Sequence, residues 1–300
     1  MNAFAVGPAR ADDASAVAEL VCSLEERIYG KRAFTLADLQ EEWLHFDIER
    51  DLRVVRDGAR VVGYGAIRDR GDLEWVQGYV HPADLGRGIG RLLATELEQA
   101  ARDRGARRIQ NSVMEADGAA RALLASMGYE PLRVFREMRI DLDAPPAAPV
   151  WPAGLRAETF DRDRDARGFH AAHEEAFADH WEHRDQTYEE FARASLDHDR
   201  FEPVLCCCVR DGDEVVAGTI NAADTYGGGW VHSLFTRRAW RGRGVGTALL
   251  ADAFSRLWDH GERGVGLAVD AANPTGAFGL YERAGMTPAM GWVNHEKLLS

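Results

Sequence analysis

The chain has 300 residues and a formal net charge of −13, a balance that argues against a nucleic acid or any other polyanion as partner. No stretch reaches the length of a membrane span, and the N-terminus lacks the basic-then-apolar pattern of a secretory signal, so a soluble, cytoplasmic protein is expected. Lys31 and Lys297 are the only lysines among 36 basic residues, which reads as the codon habit of a GC-rich genome.

In chain order, Phe4-Ala-Val6 reads as a short opening strand, followed by an acidic helix start at Asp12-Asp13. Leu52–Arg56 and Arg60–Ile67 flank the turn pair Asp57-Gly58 as a hairpin. The strand Trp75–Val80 enters a glycine loop, Asp84-Leu-Gly-Arg-Gly-Ile-Gly90, and a helical pattern from Arg91 leaves it; a strand at Arg108–Val113, a helix and a last strand follow. Asp141 to Pro152 contains four prolines and suits a semi-rigid linker. The order then repeats: Leu155–Ala157, an acidic helix start at Asp161 to Asp165, strands at Val204–Val209 and Glu214–Ile220 around Asp211-Gly212, the strand Trp230–Thr236, the loop Trp240-Arg-Gly-Arg-Gly-Val-Gly246, a helix from Thr247, and a strand at Gly264–Val269. The fold class is mixed α/β, with a mixed sheet that starts antiparallel.

Gly88 and Gly244 lie 156 residues apart, and Gly128 and Gly285 lie 157 apart. A period this long means two homologous domains, since solenoid repeats are several-fold shorter. The expected organisation is a domain at 1–141, a linker at 142–152 and a domain at 153–300.

Both loops have the form of a phosphate cradle, in which glycines allow close backbone approach and the free N–H groups of the next helix meet the anion. Cys206, Cys207 and Cys208 are consecutive in a strand and read as small apolar fillers, not a disulfide or metal set. Residues 158 to 202 carry 14 acids and six arginines, a net of −8, and five of the ten histidines: His170, His173, His180, His183 and His198. Solvated helix faces explain that balance, and so does an acidic mouth for a cationic acceptor. A zinc site on His180 and His183, or on His170 and His173, is a third reading; without a tight third ligand, none is expected.

The run Phe235-Thr-Arg-Arg-Ala-Trp-Arg241-Gly-Arg-Gly244-Val-Gly246, followed by Asn273 and Leu280-Tyr281-Glu-Arg-Ala-Gly285-Met, resembles the GNAT-type N-acetyltransferases. The resemblance covers the chain as a tandem pair, an arrangement similar to mycothiol synthase. It implies acetyl-CoA as co-substrate, with the diphosphate held by Arg241, Gly242, Arg243, Gly244, Val245, Gly246 and Thr247, and the pantetheine arm along Leu234, Phe235, Thr236, Asn273 and Tyr281. In the first half Leu85, Asp117 and Leu124 stand where the family has Arg or Gln, Asn and Tyr. The first domain is therefore expected to be degenerate and non-catalytic, its glycines kept either for a CoA-like diphosphate or for turn geometry alone.

The chemistry implied is acetyl transfer to a primary amine of a small molecule, directly within a ternary complex. In the family the strand before the loop carries a bulge and splays from its neighbour, which leaves backbone groups of Leu234 and Thr236 for pantetheine and a Leu234 N–H for the oxyanion. Tyr281 is the expected general acid, with packing on pantetheine as its other reading. His232, two residues before Leu234 on one strand face, is the expected base, a buried strand histidine or direct capture of a neutral amine being the alternatives. A dinucleotide fingerprint fails after Gly246, where Leu249 ends the next gap, and a P-loop lacks its Gly-Lys-Ser/Thr. The remaining rivals are acetylation of a cysteinyl-sugar amine and a non-catalytic acetyl-CoA sensor. The sequence carries no signal for an oligomeric state.

Overall fold

The computed structural model describes residues 4–197, 200–273 and 275–299; His198 of the acidic segment and Pro274 beside Asn273 lie outside the described residues. The chain forms two compact units. Unit 1 comprises Met1–Arg136 and Met290–Ser300, and unit 2 comprises Glu137–Ala289. This division differs from the expected boundaries at 141 and 153. Each half crosses into the other unit within its last strand, at Arg136/Glu137 and at Ala289/Met290, and Leu142, the first residue of the expected linker, is buried in the core of unit 2 and donates its N–H to Arg263 O at 2.6 Å.

In chain order the first half holds β1 (Ala5–Pro8), α1 (Ala14–Tyr29), α2 (Leu36–Trp43), α3 (Ile48–Asp51), β2 (Leu52–Asp57), β3 (Arg60–Asp69), β4 (Leu73–Val80), α4 (Ile89–Asp103), β5 (Arg108–Met114), α5 (Gly118–Ser126) and β6 (Glu130–Asp141). The second holds β7 (Leu155–Thr159), α6 (Arg162–Phe177), α7 (Tyr188–Ser195), β8 (Cys207–Asp211), β9 (Glu214–Ala222), β10 (Gly229–Thr236), α8 (Val245–Asp259), β11 (Gly264–Asp270), α9 (Ala277–Arg283) and β12 (Thr287–Leu298). Strand order is β1-β2-β3-β4-β5-β12 in unit 1 and β6-β11-β10-β9-β8-β7 in unit 2. β12 runs antiparallel to β5 from Trp292↔Met114 to Leu298↔Arg108. The mixed α/β class is as expected. Val204 and Leu205, read as strand, form a single 3-10 turn behind Pro203, whose ring removes a ladder donor, and the strand starts at Cys207.

Local chemistry accounts for the elements that frame the site. Thr187 and Glu190 close a reciprocal capping box at the start of α7, and the Asp161 carboxylate caps α6 through Arg164 N. α8 buries Leu249, Leu250, Ala253, Phe254 and Leu257 against the sheet, and each buried leucine or phenylalanine contributes roughly 1.5–3 kcal/mol. Cys206, Cys207 and Cys208 are all buried and unpaired by disulfide, as fillers should be. Among the described residues no helix is long and apolar enough to cross a membrane.

Candidate active site

β10 positions the site by leaving one neighbour while keeping the other. Its parallel pairing with β11 is confined to Gly229↔Val265 and Trp230↔Gly266, whereas its antiparallel pairing with β9 continues to Thr236↔Ala217. Arg237 N donates to Val216 O at 2.9 Å, so by alternation Phe235 and Ser233 point their backbone groups at β9, while Leu234 and Thr236 point theirs to the side β11 has vacated. The Thr236 carbonyl is taken by Arg241 Nε at 3.1 Å. Leu234 N–H and C=O face an open slot.

The register of β9 and β10 shifts between Val231 and Ser233, which makes His232 the extra residue of a bulge. Alternation from Leu234 therefore does not fix the face of His232. It is exposed and is not among the residues that line the cleft described next.

That cleft, about 370 Å3, runs along the slot. Leu234, Phe235 and Thr236 form one wall, α9 supplies Leu280, Tyr281 and Arg283, and the loop and first turn of α8 supply Arg241, Gly242, Gly244, Gly246 and Thr247. Gly242 and Gly244 have φ of 73° and 84°, left-handed values that a side chain disfavours. The first helical hydrogen bond of α8 runs from Ala248 N to Gly244 O, so the N–H groups of Val245, Gly246 and Thr247 have no partner within the helix. They form an anion site at the positive end of the helix dipole. The Val245 side chain itself is buried in the core.

The expected diphosphate arginines divide in role. Arg241 is held by Thr236 O and by Ala176 O (2.7 Å), so its guanidinium ties the end of α6 to the end of β10. Arg243 is exposed and makes no ion pair or hydrogen bond among the described residues. Asn273 is half-buried, but its Oδ1 accepts from Thr275 N (2.8 Å) and Thr275 Oγ1 (2.6 Å), an Asx turn that sets the loop before α9. It shapes the cleft without lining it.

Tyr281 is buried, packs in the unit 2 core and lines the cleft. Burial pushes its phenol up to about 12, and its hydroxyl has no hydrogen-bond partner among the described residues. That hydroxyl is not among the fully buried unsatisfied atoms, so it opens toward the cleft, where solvent or a ligand can meet it.

Sequence reasoning missed His180 as a cleft residue, weighing it only as half of a metal pair. It lines the cleft beside Phe177 (ring centroids 4.3 Å apart), and burial, with Arg241 nearby, lowers its pKa and favours the neutral imidazole. It sits in the turn after α6, where no helical or strand period applies, so no pattern could have marked it. The other histidines have separate partners: His170 meets Gln186 O at 2.9 Å, half-buried His173 stacks on Phe177, and His183 meets Asp185 at 3.2 Å. Among the described residues Glu174, His183 and Asp185 bring three potential metal ligands together, but not the His180–His183 or His170–His173 pairs considered from spacing. Many acids of 158–202 serve as caps or ion pairs, among them Asp165 with Arg164 and Arg210, Glu175 with Arg237 and Asp179 with Arg238.

Unit 1 has a cleft of about 400 Å3 at its own glycine loop, lined by Leu85, Ile89, Leu93, Val113, Leu123 and Leu124 among others. Its loop arginine, Arg87, is bound by Asp84 and by Asp57 (2.9 Å).

The chain matches the model of the acetyltransferase (GNAT) family twice, at residues 17–129 and 164–286. It is 34% identical over 215 residues to a mycothiol acetyltransferase of Thermobispora bispora, which covers 69% of this chain and 70% of that protein. A GCN5-related N-acetyltransferase of Sphaerobacter thermophilus superposes with a TM-score of 0.86 at 31% identity, covering 98% of this chain and 95% of that one. A tandem GNAT protein from the clavulanic acid biosynthesis pathway shares the fold at 21% identity and a TM-score of 0.78, over 99% and 98% of the two chains.

Proposed function

The chain belongs to the acetyltransferase (GNAT) family, enzymes whose co-substrate is acetyl-CoA, and from that premise we propose that unit 2 carries the reaction and unit 1 does not. The reaction is transfer of the acetyl group to a primary amine of a small molecule, in a ternary complex. The observation that carries this reading is Tyr281, buried in the cleft wall with an unpartnered hydroxyl.

Each step falls to a group of this chain. The N–H groups of Val245, Gly246 and Thr247, with Arg243, hold the diphosphate. Leu234 N–H and C=O pair with the arm that enters the slot, and the N–H stabilises negative charge on the thioester oxygen, an interaction worth a few kcal/mol in acyl transfer. The amine nitrogen attacks the carbonyl carbon and gives up a proton to a base. The C–S bond breaks, and Tyr281 protonates the leaving thiolate.

A phenol at about 12 is poorly matched to a thiol of about 8.5 in water. A thiolate that leaves its solvent on entering the slot is raised in the same direction. The mismatch between Tyr281 and the thiolate is therefore smaller in the slot than in water. For the base, His180 stands in the cleft as a neutral imidazole and takes precedence over the exposed His232.

The likeness to a mycothiol acetyltransferase favours the amine of a cysteinyl sugar among acceptors, and the acid-rich 158–202 segment favours a cationic amine. A screen of acetyl-CoA-dependent thiol release across cysteinyl sugars, polyamines, aminoglycosides, amino acids and peptide N-termini tests the reading. Turnover with at least one amine is expected. Release with none, while acetyl-CoA still binds, would leave a sensor.

A further inference from the structure

The wall of the unit 2 cleft holds a cation that the reaction above does not use. Arg283 ends α9, lines the cleft, and makes no ion pair or hydrogen bond among the described residues. Its guanidinium folds back one turn along the helix over Gly279, where a Cβ would stand only 3.1 Å from Arg283 Nη1. A side chain at 279 would crowd the guanidinium in this position. Unit 1 lacks the arrangement: Ser126 occupies the position of Arg283 and accepts from Arg91 at 2.7 Å.

A CoA ester brings three phosphates. Two form the diphosphate, for which the free N–H groups at the start of α8 and the nearby Arg243 suffice. The third, on the ribose 3′ carbon, is a monoester that carries about −1.5 to −2 at neutral pH. In a chain of net charge −13, that group is repelled by the protein at large and requires a local cation to be held. We propose that Arg283 is that cation, a specificity residue that binds the 3′-phosphate and makes unit 2 discriminate CoA thioesters from those lacking it. The inference rests on acetyl-CoA binding in unit 2. A planar guanidinium meets phosphate oxygens through paired N–H donors, which gives direction as well as charge.

Calorimetric titration of CoA and 3′-dephospho-CoA into the wild-type chain, Arg283→Gln and Arg283→Lys tests it without any acceptor. The wild type should bind CoA about tenfold more tightly than the dephospho form, the scale of one charge-assisted contact. Arg283→Gln should remove that preference by weakening CoA alone, and Arg283→Lys should keep part of it. The substitutions lie in the second cleft, so binding at the first stays constant across the series. Equal loss of both ligands would place Arg283 on the diphosphate, and no loss of either would leave it a solvated side chain; both results overturn the inference while leaving the site in unit 2. A wild-type chain that binds neither ligand overturns the inference and the reading beneath it.

Discussion

The two glycine loops have nearly the same backbone and different surroundings. Gly88 and Gly244 share φ 84°, and each starts the long helix behind the loop. The hairpins upstream share a register shift, at Val55/Arg56 and at Val209/Arg210. Each unit also joins a helix-start aspartate to a hairpin arginine, Asp13 to Arg56 and Asp165 to Arg210. What differs is the strand before the loop. β4 pairs with β3 without interruption from Gly63↔Val80 to Asp69↔Glu74 and stays with β5 for five residues, while β10 bulges and parts from β11 after two. Arg87 is neutralised by carboxylates, whereas Arg243 is free among the described residues. Features that hold the fold survive in both copies. The glycine loop and the helix-start N–H groups left free behind it survive in both copies too, whereas the parted strand and the free loop arginine are confined to unit 2 among the described residues.

If the aspartate–arginine bridge is scaffold in both units, breaking it should cost stability in either. Asp165→Asn leaves the half-buried side chain of Arg210 without its charged partner at a fully buried position and is expected to lower unfolding free energy by about 3 kcal/mol, read by urea titration, with Asp13→Asn also destabilising. For the Asp165 carboxyl, burial works against ionisation, but hydrogen bonds from Arg164 and Arg210 prevail and hold it at about 2. Its contribution is therefore complete above the unfolded value near 4 and is lost as pH falls through about 2. The wild type should lose stability over that window, and the Asn variant should lose less. A variant as stable as the wild type would remove the bridge from the shared scaffold.

The chemical half of the comparison turns on Tyr281, whose counterpart is Leu124. Tyr281→Phe should leave acetyl-CoA affinity nearly unchanged and lower kcat by about 10²-fold, the low end for a positioned proton donor. An unchanged kcat when chemistry limits turnover would reduce Tyr281 to packing, as Leu124 packs.

A smaller effect sharpens the assignment of the base. His180→Ala should lower kcat/KM about tenfold and more than His232→Ala does, an effect below the usual range for a base because water can replace it. In the wild type the acidic limb of kcat/KM should fall below pH 6.5, since burial lowers the His180 pKa and the base is lost only once it is protonated. The reverse order of the two variants would return the role to His232.

The glycine loops, both hairpin turns and the helix starts were legible because each depends on local chemistry: a left-handed φ at Gly88 and Gly244, or an acid where N–H groups are free. The duplication was legible for the same reason, since its spaced glycines repeat. The exchange of last strands was not, because β6 and β12 occupy matching places in the repeat and their sequences do not say which unit each completes. The bulge at His232 was implied by the family and not by the residues, and reading the strand as strictly alternating placed His232 beside Leu234. Asn273 and Arg241 were found as motif positions, but their side chains are spent on Thr275 and on the carbonyls of Thr236 and Ala176. Only the pairing of donors and acceptors in three dimensions shows that.

Gly244→Glu and Gly88→Glu, compared by acetyl-CoA titration and by turnover, test the central claim most directly. The two glycines have the same φ, and a Cβ at either would have no atom within 4 Å, so the strain of substitution is matched and a difference reports the ligand. The account predicts that Gly244→Glu abolishes turnover and binding at unit 2, while Gly88→Glu leaves turnover within about twofold of the wild type, a change under 0.5 kcal/mol. Equal loss of turnover from both, or loss from Gly88→Glu alone, would contradict it.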